Sequence, residues 1–251
     1  AIIDTGLVPH ADIDTNILDG SGKVVPGHDF VSQDSTGIFY TANDGDGRDS
    51  DPSDPGDWIT VDEDAGTDIT GGFFAGCGVS DSSWHGTHVA GTIGALSNNT
   101  MGISGINWAS KILPVRVLGK CGGYLSDVVD GMRWAAGLSV SGVSTNPNPA
   151  KVLNLSLGGP GSCSSTEQSA INAIVAAGAV VVVAAGNSNV NLGTSPESPA
   201  NCSNVISVAA VKRDGGRAFY SNYGTTVEIA APGGDQSTLD ADGVLSTLNS
   251  G

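Results

Sequence analysis

Four short segments hold the residues whose types and order could do chemistry. His85 opens His85-Gly86-Thr87-His88-Val89-Ala90-Gly91, a polar start to a run of small and β-branched residues. A histidine at the mouth of a buried, glycine-lined helix is a candidate general base, because its pKa lies nearest neutrality. Asp4 stands in Asp4-Thr5-Gly6 after an Ile-Ile strand, an acid whose backbone is set by the glycine that follows. Asn154-Leu155-Ser156-Leu157-Gly158-Gly159 offers a strand edge able to pair with an extended peptide. Ala184-Ala185-Gly186-Asn187 delivers an amide donor from a glycine turn. Acid, base, peptide-binding edge and amide donor are most of what acyl transfer from a peptide requires. His85 and His88 also share an i, i+3 spacing that could hold zinc, but no glutamate stands in a His-Glu-x-x-His arrangement.

The elements that must position these residues read as an alternation. Residues 1–4 are a strand end, 86–97 a helix, 110–118 a buried strand, and 126–136 a helix with Ser126 as its N-cap. Residues 152–157 form a strand ending at Gly158-Gly159. Residues 165–177 form a helix stopped by Gly178, and 179–185 and 205–211 are apolar strands. Helices between fully apolar strands predict an α/β fold: a three-layer sandwich with a mainly parallel, twisted sheet covered by helices on both faces. Asp4, Ser156–Gly159 and Gly186-Asn187 fall at strand carboxyl ends, where such sheets place their active groups. The glycines of the His85 segment cost helix propensity, about 1 kcal/mol each relative to alanine, so close packing must require the small residues.

With 251 residues the chain is long enough for one domain with a sizeable core. Both ends run through apparent structure, so the domain, residues 1–251, is expected to be truncated at each. Residues 33–83, rich in Gly, Pro and Asp without a sustained period, read as a long acidic loop insertion. The net charge of −16 argues against a nucleic-acid partner, whose phosphates would be repelled. No apolar run is long enough to span a membrane. An even cysteine count, with Cys77, Cys121, Cys163 and Cys202 far apart, favours two disulfides in a secreted, extracellular protein. Three pairings are open; Cys77–Cys121 with Cys163–Cys202 is preferred because each then staples loops within one half of the chain. Four free buried thiols are the alternative.

Residues 43–57 place six aspartates, Asp44, Asp46, Asp49, Asp51, Asp54 and Asp57, within 14 positions. Calcium takes six to eight oxygens in irregular geometry, so this loop is a candidate calcium site. It is not an EF-hand, and a solvated acidic loop is the alternative reading.

The ordered segments around Asp4, His85 and Asn187 resemble those of the subtilisin-like serine proteases, the subtilases, and the resemblance runs through the whole chain. It implies that Asp4 orients His85, that His85 takes a proton from a serine nucleophile, and that Asn187 stabilises the oxyanion. It also implies that Gly122-Gly123-Tyr124 and Ser156-Leu157-Gly158 flank the backbone of a protein or peptide substrate, in a protein acting as a monomer. Ser156–Gly159, Ala184-Ala185-Gly186-Asn187 and the segment from Glu197 to Asn201 should form the pocket for the residue before the scissile bond. Glu197 faces either that pocket, where it would favour Lys or Arg, or solvent. The family's strong calcium site is matched by Asp12 and the loop containing Asn98. The family's Gly-Thr-Ser-Met-Ala-x-Pro nucleophile segment is absent from these 251 residues, so the serine is expected beyond Gly251. A non-catalytic, calcium-binding peptide-binding module is the rival reading.

Overall fold

A computed structural model describes residues 1–237 and 239–249. The chain divides into two compact units, Ala1–Gly131 with the residues from Ser246, and Met132–Leu245.

In the first unit, β1 (Ile2–Asp4), β2 (His28–Asp29) and β3 (Pro114–Arg116) form parallel ladders with β3 between the other two. The apolar run 110–118 becomes continuous strand only over Pro114–Arg116, with an isolated parallel bridge from Ile112 to Val24. The four-residue helix α1 (Val61–Asp64) lies within the acidic stretch 33–83, started by a reciprocal capping box between Thr60 and Glu63. That Thr-x-x-Glu signal is present in the sequence. The long helix α2 (His85–Gly94) packs on β1. α2 contributes Ala90, with Val89 and Ile93 beside it, to a cluster of Ile2, Leu7, Ile13, Ile17, Val24 and Ile112. Each such aliphatic side chain removed from water contributes about 1.5–3 kcal/mol. α3 (Leu125–Ala135) begins in this unit, one residue before the expected N-cap. Ser126 therefore lies inside the first turn, and its neighbour Asp127 is buried against Ser32 and Arg48.

In the second unit, β4 (Val152–Leu155), β6 (Val180–Ala184), β8 (Ile206–Val211) and β9 (Ile229–Pro232) are parallel neighbours in that order. A separate antiparallel ribbon joins β5 (Gly159–Pro160) to β7 (Glu197–Ser198). Helix α4 (Ser165–Ala176) carries the connection from β4 to β6. Its N-terminus is a capping box of Ser164 and Glu167, and Gly178, just past its C-terminus, has φ +85°. Leu153, Leu155, Ile171, Ile174, Val181 and Val183 are wholly buried. Parallel strands, with helices on the connections, give the α/β class that the periodicity predicts; β2, two polar residues, and β9, a four-residue Ile-Ala-Ala-Pro segment, give no such signal.

Candidate active site

Asp4 ends β1 fully buried, and its Oδ1 lies 2.7 Å from His85 Nδ1. The same oxygen accepts the Thr5 N–H at 2.8 Å. A carboxylate only accepts, so Nδ1 carries the proton and Nε2 keeps its lone pair. His85 has 44% side-chain exposure, which leaves that second nitrogen open to a reactant. Its pKa is raised above the ordinary 6.5, first by the Asp4 hydrogen bond and then by the charges of Asp4, Asp57 and Asp54, against the opposing effect of burial.

Local packing sets this pair. Gly6 sits at φ +104°, and a Cβ placed on Gly86 would lie 2.1 Å from the Gly6 carbonyl oxygen. The first turn of α2 can therefore rest on the Asp4-Thr5-Gly6 turn only as glycine. Thr5 fastens the two: its Oγ1 accepts the Gly86 N–H at 3.0 Å and donates to Asp54 Oδ2 at 2.6 Å. Asp57 accepts from the N–H and hydroxyl of Ser83, whose Oγ in turn accepts the His85 N–H. Trp84 enters the helix in the left-handed region, φ 49°. Further along α2, a Cβ on Gly91 would meet Thr247 Oγ1 at 2.1 Å, and Thr247 donates to the Thr87 carbonyl.

The structure gives the acids of residues 44–57 another use than a cation cage. Asp44 and Asp29 both pair with the buried guanidinium of Arg116, which also donates to the Ala42 carbonyl. Asp54 and Asp57 serve the His85 region. Asp49 and Asp51 accept backbone N–H groups of their own loop, and Asp46 is exposed. Among the described residues no three Asp, Glu, His or Cys side chains converge on a common point. The six aspartates do not fit one calcium ion. Asp12 is wholly buried, with Asn99 Nδ2 on Oδ1 and the Ile103 N–H on Oδ2, and the loop 96–103 closes over it. Asn98 is exposed at φ 60°, so Asn99, not Asn98, meets Asp12.

Gly122-Gly123-Tyr124 leave a tight turn in which Gly119 and Gly122 bridge and Cys121 has φ 62°. Gly123 rests on the Val117 carbonyl, 2.3 Å from where a Cβ would be, and Tyr124 donates to Asp34. The bridge Cys77–Cys121 ties this turn to the stretch 33–83, where Lys120 pairs with Glu63 and lies over Trp58 and Phe74.

In the second unit, Asn187 leaves β6 through Ala185 and Gly186 (φ +103°) and reaches the surface. It lines a cavity of about 320 Å³ with residues 156–160, 184–186, 188, 197–198 and Ala200. Ser156, Leu157, Gly158, Gly159, Ala184, Ala185, Gly186 and Glu197 thus meet at one cavity. The turn is held by a residue that the motif reading passes over. Asn222, wholly buried, donates Nδ2 to the Ala185 carbonyl, accepts the N–H groups of Ser188 and Val190 on Oδ1, and donates its own N–H to Gly186. Its signal is the polar Ser221-Asn222-Tyr223-Gly224 segment between β8 and β9. The second bridge, Cys163–Cys202, ties the segments that follow β5 and β7.

Comparison with known proteins follows this geometry. A sequence model described as the subtilase family matches residues 1–250. An extracellular protease of Xanthomonas campestris pv. campestris is 51% identical over the whole chain, and an extracellular basic protease of Dichelobacter nodosus 44% identical over 96% of it. The chain spans 38% and 37% of the lengths of those two relatives. A solved structure described as proteases from Pseudoalteromonas arctica superposes with TM-score 0.85 at 51% identity, over all of this chain and 67% of that one. A cold-adapted subtilisin-like serine proteinase superposes with TM-score 0.58 at 29% identity, over 93% and 62%. The carboxylate–imidazole pair at the end of β1 thus sits in a scaffold shared, in sequence and in backbone, with proteases of one kind, and the chain belongs to the subtilase family.

Proposed function

We propose that the protein to which these residues belong is a secreted serine endopeptidase, with the nucleophile in a segment outside residues 1–251. The observation that carries this reading is the 2.7 Å contact between Asp4 Oδ1 and His85 Nδ1, which leaves Nε2 basic and exposed. His85 Nε2 takes the serine hydroxyl proton as the oxygen attacks a peptide carbonyl, and gives it to the leaving amine as the bond breaks. Asp4 holds the tautomer and stabilises the imidazolium. Asn187, whose amide has no partner among the described residues, donates to the oxyanion. The extended segments 122–124 and 156–158 are assigned to the substrate backbone, and residues 33–83 to an insertion of the peptidase domain. The protein acts as a monomer on protein or peptide substrates, without nucleic acid or membrane. Calcium belongs in this reading at Asp12 and the loop 96–103, where it would stabilise the loop without entering the reaction.

The test uses the full-length protein and casein. A serine-directed sulfonyl fluoride is expected to abolish hydrolysis while modifying one serine. Hydrolysis that survives the fluoride, or that a chelator abolishes and zinc alone restores, would replace this reading by a metal hydrolase. Absence of any hydrolysis in a folded protein would favour the non-catalytic module.

A further inference from the structure

The cavity beside Asn187 has one charged residue in its wall, Glu197. The rest of the lining is uncharged, and Leu157, Pro160, Ala184, Ala185 and Ala200 make its apolar part. Its carboxylate lies against the turn that carries Asn187: Oε2 is 2.2 Å from the point where a Cβ on Gly186 would stand. That position is built. Glu197 pairs with Pro160 across the β5–β7 ribbon, and the Gly161 N–H donates to the Pro196 carbonyl at 2.9 Å. The Glu197 carbonyl accepts the Asn201 N–H at 3.0 Å, and Cys163–Cys202 closes the ribbon. Among the described residues the carboxylate itself accepts no hydrogen bond and joins no ion pair, and its oxygens are not sealed from solvent. A rigid, half-buried carboxylate without an internal cation needs a counter-charge from outside when a ligand displaces its water.

We infer that Glu197 makes the protein selective for peptides with a cationic side chain, Arg or Lys, immediately before the scissile bond. The inference rests on the peptidase reading above. Adjacency to Asn187 assigns the cavity to the acyl side of the bond. A cavity of about 320 Å³ admits one long side chain. The aliphatic stem of Arg or Lys runs along the apolar wall and its head meets the carboxylate. An acidic residue at the same position meets Glu197 as a like charge.

The experiment compares kcat/KM of the full-length protein on peptides that differ only before the scissile bond: arginine, its neutral isostere citrulline, leucine and glutamate. Arginine is expected to exceed citrulline by about tenfold or more, the size of one charge-assisted hydrogen bond in a half-buried site. Glu197→Gln is expected to bring that ratio near one, and Glu197→Lys to raise glutamate above arginine, with the thermal midpoint reporting that each variant folds. A wild-type ratio near one, or a ratio that Glu197→Gln leaves unchanged, overturns the inference. Because the wild-type comparison stands alone, a misfolded variant does not rescue it. Failure to cleave any of the four peptides sinks the peptidase reading itself, which is a different outcome from cleaving them without regard to charge.

Discussion

His85 can act as a base because the Asp4 carboxylate leaves its Nδ1 no role but donor, and one side of the ring stays open. The hydrogen bond raises the pKa above 6.5, so the imidazole protonates at a higher pH than an ordinary histidine. The sign differs for activity and stability. Activity requires the neutral ring and is lost as pH falls through the raised value. The stability from the ion pair is present below the ordinary value and lost as pH rises through the raised one. Asp4→Asn removes the charged acceptor that raises the pKa most, leaving only the charges of Asp57 and Asp54 against burial. The acid limb of kcat/KM is expected to move to lower pH, and kcat/KM to drop by about 10⁴, the size seen when the triad acid of such proteases is removed. A pH profile of the full-length variant in which the limb does not move would refute the assigned role.

At the scale of elements, both ends of the chemistry depend on glycine turns that neighbouring groups hold. Helix α2 meets the Asp4 turn without any side chain between them. Gly86→Ala would drive a methyl into the Gly6 carbonyl, and is expected to destabilise by about 1–3 kcal/mol and to lower activity by displacing His85. Denaturant unfolding of the variant checks the first part, kcat the second; an unchanged midpoint would mean that the backbone yields at no cost. The Asn187 turn hangs on Asn222, which makes three side-chain bonds to it. Asn222→Ala leaves two N–H groups and a carbonyl unpaired, at about 1–3 kcal/mol. Asn222 acts through Asn187 and touches no reacting atom, so kcat is expected to fall about tenfold or more with KM little changed. An equal loss of stability with kcat intact would reduce Asn222 to a structural residue. The packing demand was legible in the run of small residues from Gly86 to Ala95. The identity of the packing partners was not, because Gly6 and Thr247 are 80 and more positions away.

At the scale of the whole molecule, two staples and a core of modest side chains carry a strongly acidic chain. The bridges close stretches of 44 and 39 residues, each contributing up to about 4 kcal/mol in the chain-entropy account. Replacing Cys163 and Cys202 by serine is expected to lower the unfolding free energy by no more than that, and to loosen the Glu197 ribbon. Thermal unfolding of oxidised and variant proteins measures it, and equal midpoints would show that the bridge adds no stability. The sequence by itself determined the α/β class, the order of acid, base and amide donor, and the cysteine count, since each follows from local periodicity or from residue type. Tertiary structure alone decided what the acids of residues 44–57 do. Spacing suits them to a cation, but a strand 60 and more residues away brings Arg116 to Asp44, and the Asp4 turn brings Thr5 to Asp54. It also decided that Glu197 faces the cavity, because the ribbon with Pro160 sets that direction and no periodicity encodes it. Side-chain chemistry is written locally, whereas the partner that uses it is chosen by chain segments that only the fold brings together.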